Sequence, residues 1–136
     1  MSNDNVALLN GVYEAFGRGD MEAVMAAFAE DIEWNSPAVL PHGATLRGRD
    51  GVGSFFEKLA SSWENFGIEI DAVFGSGDRA CAIGKAQGTL DGSHASYGFV
   101  HAWTIRDSVL VRFDEYVDPS SELIAAAATR LAAAAA

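Results

Sequence analysis

Hydrophobic positions change their spacing once along this chain, and the change divides it into a helical half and a stranded half. Over residues 4–17, Val6, Leu9, Tyr13 and Phe16 recur at helical spacing, with Asn3 or Asp4 as the cap and Gly17 or Gly19 as the stop. Asp20 caps a second, shorter helix. In it Met21, Val24, Met25 and Phe28 occupy i, i+3, i+4 and i+7, and Asp31 breaks it. Ile32 and Trp34 share one face of a short strand that Pro37 ends, and residues 37–50, punctuated by proline and glycine, read as a loop or small hairpin. Asp50 caps a third helix with the apolar stripe Val52, Phe55, Phe56, Leu59 and Trp63.

Beyond that stripe the period falls to two. Strands are expected at 66–74, 79–90, 94–106 and 109–117, separated by Gly75–Asp78, Asp91-Gly92 and Asp107-Ser108 as hairpin turns. Asp118-Pro119 reads as a cap and first turn of a last helix holding Leu123, Ile124 and Leu131, which decays into a frayed alanine tail over about 124–136. Helices first and an antiparallel meander afterwards make an α+β domain spanning 1–136, not a βαβ fold. Amphipathic helices and a one-sided sheet bury their apolar faces on each other, and a curled sheet leaves a pocket between the layers.

Two of those strands carry one ionisable group each on an otherwise apolar face. Successive side chains alternate sides. The odd positions of 97–105 are therefore Tyr97, Phe99, His101, Trp103 and Ile105, and those of 109–117 are Val109, Val111, Phe113, Glu115 and Val117. Burying an imidazole and a carboxylate among aromatic rings is costly unless they serve a purpose.

The remaining composition removes whole classes of function. A net charge of −10 repels nucleic-acid backbones and anionic lipid headgroups. No stretch reaches the roughly 20 apolar residues of a membrane span, and Met-Ser-Asn-Asp-Asn lacks the basic and apolar regions of a signal peptide, so a cytoplasmic address is expected. Cys81 stands alone, which leaves no internal disulfide, and no clustered His or CxxC suggests a metal. No cofactor is implied.

The chain resembles the SnoaL-like, ketosteroid isomerase-related branch of the nuclear transport factor 2-like superfamily over nearly its whole length. The resemblance rests on Tyr13-x-Ala15 with Gly19-Asp20, Asp31-x-x-Trp34 with Pro37, Gly43, Leu46–Asp50, Phe55-Phe56, Phe99–Trp103 and Phe113–Asp118. It implies a curved antiparallel sheet packed on the N-terminal helices, a cone-shaped, cystatin-like barrel with an internal pocket. It also implies a homodimer paired through the outer sheet face that bears Arg112.

The same resemblance weighs against steroid isomerisation. In those enzymes the general base is an aspartate immediately before the proline, where this chain has Ser36. Their catalytic tyrosine aligns with Val12, Phe28 and Phe56 replace pocket tyrosines, and their protonated aspartate falls at His101. Epoxide hydrolase members place an arginine where Phe99 stands. Polyketide cyclase members use an acidic residue near the end of the last long strand, for which Glu115 is the nearest candidate.

His101 and Glu115 are accordingly the candidate acid/base pair, with Phe28, Trp34, Ser36, Phe56, Phe99, Trp103 and Phe113 expected around a small apolar or carbonyl-bearing, polyketide-like ligand. Three alternatives stay open. His101 can be a structural core histidine; a bulge can turn Glu115 to solvent and Asp114 inward; and the domain can be a non-catalytic carrier or a dimerisation module. His42 and His94 are expected at exposed loop or turn positions, with an approach of His42 to the pocket mouth left open, and Arg47 and Arg49 beside acidic partners such as Asp50.

Overall fold

A computed structural model describes residues 2–135. Its elements are α1 (Ser2–Gly17), α2 (Met21–Ala26), β1 (Phe28–Asn35), β2 (Thr45–Arg47), α3 (Gly48–Ser62), β3 (Glu64–Ser76), β4 (Arg79–Leu90), β5 (Ser93–Arg106), β6 (Val109–Pro119) and α4 (Ser121–Ala135). The six strands form one curved, unclosed sheet in the order β2-β1-β6-β5-β4-β3. β1 runs parallel to β6, and every other pairing is antiparallel. The α+β class and the helices-on-sheet layering expected from the hydrophobic spacing are those observed.

The hairpins explain the meander. Asp91 and Gly92 have φ of 52° and 81°, and Asp107 and Ser108 have φ of 51° and 62°. Two consecutive left-handed residues give the turn whose twist matches that of the flanking strands. α1 lies across β3 and β4, and α3 packs on β1. The core between them gathers Leu9, Val24, Phe28, Ile32, Val52 and Leu110, each almost wholly buried.

Several boundaries differ from expectation. α1 starts at Ser2, so Asn3 and Asp4 lie within its first turn and do not cap it. α2 ends at Ala26; Phe28 opens β1 instead of extending the helix, and Asp31 lies inside that strand. Asp50 sits in the first turn of α3, whose cap position is Arg47. Asp118 and Pro119 extend β6, where proline is tolerated at a strand end. Ser120 takes over the capping role, its Oγ accepting from the Leu123 N–H at 3.2 Å and from the Ser96 N–H at 3.2 Å. The alanine run is helical to Ala135, as alanine's propensity favours.

The register of β6 decides what reaches the interior. A bulge lies between the pairs Ile105↔Leu110 and Thr104↔Arg112, so Leu110 turns inward and Val109 and Val111 do not take that place. The bulge precedes the site. Downstream of it the pairs Trp103↔Phe113 and His101↔Glu115 are regular, with all four residues buried.

Candidate active site

His101 and Glu115 face each other across β5 and β6, and His101 Nε2 lies 3.0 Å from Glu115 Oε2. The other ring nitrogen, Nδ1, lies 2.6 Å from the hydroxyl of Tyr13, which projects from α1. That hydroxyl accepts from Trp103 Nε1–H at 3.0 Å, and Glu115 Oε1 accepts from the Ser36 hydroxyl at 2.8 Å. A line of hydrogen bonds thus runs from Trp103 through Tyr13, His101 and Glu115 to Ser36.

Its proton positions follow from the ends. An indole N–H only donates, and a carboxylate only accepts. With a neutral imidazole, Tyr13 donates to Nδ1 and Nε2–H donates to Glu115. Burial, the largest influence, pushes the Tyr13 phenol well above its ordinary pKa, so it stays protonated. Burial also pushes the Glu115 carboxyl up. His101 and the Ser36 hydroxyl outweigh that effect, and the net result holds Glu115 below the usual carboxylate range. The imidazole ring is fixed by stacking, its centroid 3.9 Å from that of Phe99 and 5.8 Å from that of Tyr13.

The group opens on a cavity of about 70 Å³ whose wall is otherwise almost entirely apolar. For scale, a buried apolar cavity of roughly 150 Å³ holds benzene. Phe28, Trp34, Phe56, Phe99, Trp103 and Phe113 all line it, as do Tyr13, His42, Tyr97 and Glu115. Trp34 stacks on Phe113 with centroids 4.0 Å apart. Its Nε1 is the one buried side-chain polar atom without a partner among the described residues. The rings of Phe55, Phe56 and Trp103 pack against the Trp34 ring in T-shaped arrangements with centroids 5.1–5.8 Å away.

Residues 9–113 match the family model of the SnoaL-like domain. The chain belongs to that family. Among solved structures, it is similar to an NTF2-like protein from Burkholderia pseudomallei, at 32% identity and a TM-score of 0.77 over 87% of this chain and 92% of that one. It is also similar to TerC co-crystallised with polyporic acid, at 26% identity and a TM-score of 0.75 over 84% and 91% of the two chains. A protein with a ketosteroid isomerase-like fold from Catenulispora acidiphila, in complex with trimethylamine, shares the fold at 18% identity and a TM-score of 0.69, over 80% and 83% of the chains. No curated protein matches the chain.

Within this SnoaL-like frame the positions expected around the ligand divide. Ser36 stands behind Glu115 as its hydrogen-bond donor and is not part of the cavity wall. Two other expectations are corrected. His42 is 2% exposed instead of lying at the surface, because the turn from Pro37 to Gly43 folds tightly inward; a Cβ on Gly43 would fall 1.9 Å from the Pro37 carbonyl oxygen. The expectation of an acidic partner holds for Arg47 and is corrected for Arg49. Arg47 bridges to Glu33, and Arg49 donates to the Phe28 carbonyl at 2.7 and 2.9 Å.

Tyr13 is a polar wall residue that sequence spacing missed, and His42 is one it placed no nearer than the pocket mouth. Tyr13 falls on the core stripe of α1, and its partner His101 is 88 residues away. His42 sits in a stretch with no periodicity at all. Among the described residues no group of three or more His, Cys, Asp or Glu is placed to hold a metal ion, and no helix is long and apolar enough to cross a membrane.

Proposed function

We propose that this SnoaL-like domain binds a small, largely apolar carbonyl compound and moves a proton on it without a cofactor, as isomerases, cyclases and dehydratases do. The reading is carried by one observation: the line Trp103–Tyr13–His101–Glu115–Ser36 borders an otherwise apolar cavity. Because both nitrogens of His101 are engaged, the atoms left to meet a ligand are the Tyr13 hydroxyl and the free lone pairs of Glu115.

When His101 carries a second proton, Nδ1–H donates to Tyr13 and frees the phenol proton for a ligand oxygen. Glu115 then takes a proton from the carbon beside the carbonyl. The C–H electron pair becomes the new C=C bond, and the carbonyl π pair moves to oxygen, which receives the Tyr13 proton. His101 Nδ1 replaces the proton on Tyr13. The reverse steps, with Glu115 returning its proton to a different carbon, complete an isomerisation and restore every group. A cavity of about 70 Å³, less than half the space that holds benzene, admits the carbonyl end of a small or polyketide-like molecule.

Cyclopentanone in D₂O provides the test. The protein is expected to catalyse deuterium entry beside the carbonyl, and His101→Ala to slow it about 10²-fold with binding retained. A second reading has its own support: fully satisfied nitrogens on His101 are also what a ligand carrier needs. A carrier would show no exchange and only weaker binding in His101→Ala.

The outer sheet face supports pairing with a second copy of the chain. Cross-strand register aligns Ala72, Ile83, Val100 and Tyr116 in one row, with Phe74 beside it. Phe74 is 52% exposed and Tyr116 63%. Arg112 on the same face is engaged with Glu33 and Asp114. Sedimentation should give a dimer that Ile83→Glu converts to monomer; a monomeric parent chain would end the idea.

A further inference from the structure

We propose that His42 and Tyr97 form a second polar subsite of the cavity, a pair of fixed donors that holds an uncharged acceptor oxygen of the ligand away from the proton-transfer group. The proposal rests on the reading of the cavity as a carbonyl site and adds to it the part of the ligand that His101 and Glu115 do not touch.

The donors follow from hydrogen-bond accounting. His42 Nδ1 accepts from Trp63 Nε1–H at 3.2 Å, which fixes the proton of a neutral ring on Nε2. Neither that Nε2–H nor the Tyr97 hydroxyl has a partner among the described residues, and neither belongs to the fully enclosed unpartnered atoms. Both side chains line the cavity, and both residues are at most 5% exposed. They share their neighbours. The Trp63 ring centre lies 6.3 Å from that of His42 and 6.2 Å from that of Tyr97, and Phe66 lies 6.2 and 6.5 Å from them.

Both groups are neutral at ordinary pH. Burial pushes His42 down to about 4 and Tyr97 upward. They therefore offer N–H and O–H without positive charge, and the Glu115 carboxylate borders the same space. That combination accepts a ketone, enol, phenol or ether oxygen and rejects an anion, which would gain no cation and meet a carboxylate. Tyr97 and His101 lie on one face of β5 with Phe99 between them, its ring centre 6.4 Å from that of Tyr97 and 3.9 Å from that of His101, so the subsite stands one aromatic ring along the strand from the imidazole. A ligand engaging both is compact and carries two oxygens.

The test compares cyclopentanone with methylenecyclopentane, the same shape without an acceptor. The parent protein is expected to bind the ketone more tightly. Tyr97→Phe removes only an oxygen that bonds nothing in the chain, so stability should be unchanged while the preference falls about five- to tenfold. His42→Gln, which keeps an acceptor for Trp63, should act similarly. Equal binding of the two probes by the parent, or a preference that survives Tyr97→Phe and His42→Gln together, overturns the subsite. Retained preference without deuterium exchange overturns the proton-transfer reading and leaves the subsite standing.

Discussion

Glutamine in place of Glu115 is expected to slow deuterium exchange into cyclopentanone by about 10²–10⁴-fold, with ligand affinity changed only severalfold. The amide keeps the size of the side chain. Its oxygen still accepts from Ser36 or from His101, the two bonds of 2.8 and 3.0 Å that position it, so the fold has little reason to move. What is lost is the only carboxylate in the cavity wall among the described residues, and with it the group proposed to receive the carbon-bound proton. NMR of the exchanging protons measures the rate, and thermal unfolding checks the fold. An exchange rate equal to the parent's in a folded variant means that Glu115 serves structure alone.

Acidification should destabilise the protein well before ordinary carboxylates titrate, and His42 should be the reason. Burial lowers its pKa from 6.5 to about 4, so the fold prefers the neutral ring. Its contribution is complete above pH 6.5 and is lost as pH falls toward 4, because the unfolded chain takes up the proton first. The loss amounts to about 2 kcal/mol at pH 5 and about 3 kcal/mol at pH 4. Urea unfolding of the parent and of His42→Gln at pH 7.5 and pH 5 isolates it, since other titrating groups are common to both. The difference between the two proteins should shrink by about 2 kcal/mol on acidification; a constant difference contradicts the assignment.

Sequence spacing made the sheet half of the fold legible, and the reason is physical. On β5 a period of two over Tyr97–Ile105 has one solution that buries the aromatic rings, and it puts His101 inward. On β6 the same reasoning misplaced Val109 and Val111, because a bulge adds a residue without leaving a mark on the hydrophobic pattern. Glu115 kept its side only because the bulge precedes Phe113. Phe28 was misassigned for a related reason. It continues the spacing of α2, yet Ala27 ends that helix and the ring enters the core from a strand. The helical and loop contributions to the site were the least legible. Tyr13 on α1 and His42 in a turn reach their partners through tertiary packing that no local period encodes.

The adjacency of β1 and β6 has a consequence for assembly. Ser36 and Glu115, 79 residues apart in sequence, come together only when the final strand slots beside the first. Closing so long a loop is entropically slow. Until it closes, a growing polypeptide leaving the ribosome carries β1 with an unmated edge and the acid/base group in pieces. The Ser36–Glu115 contact is therefore among the last the chain completes, and until then one edge of β1 stays open to wrong pairing.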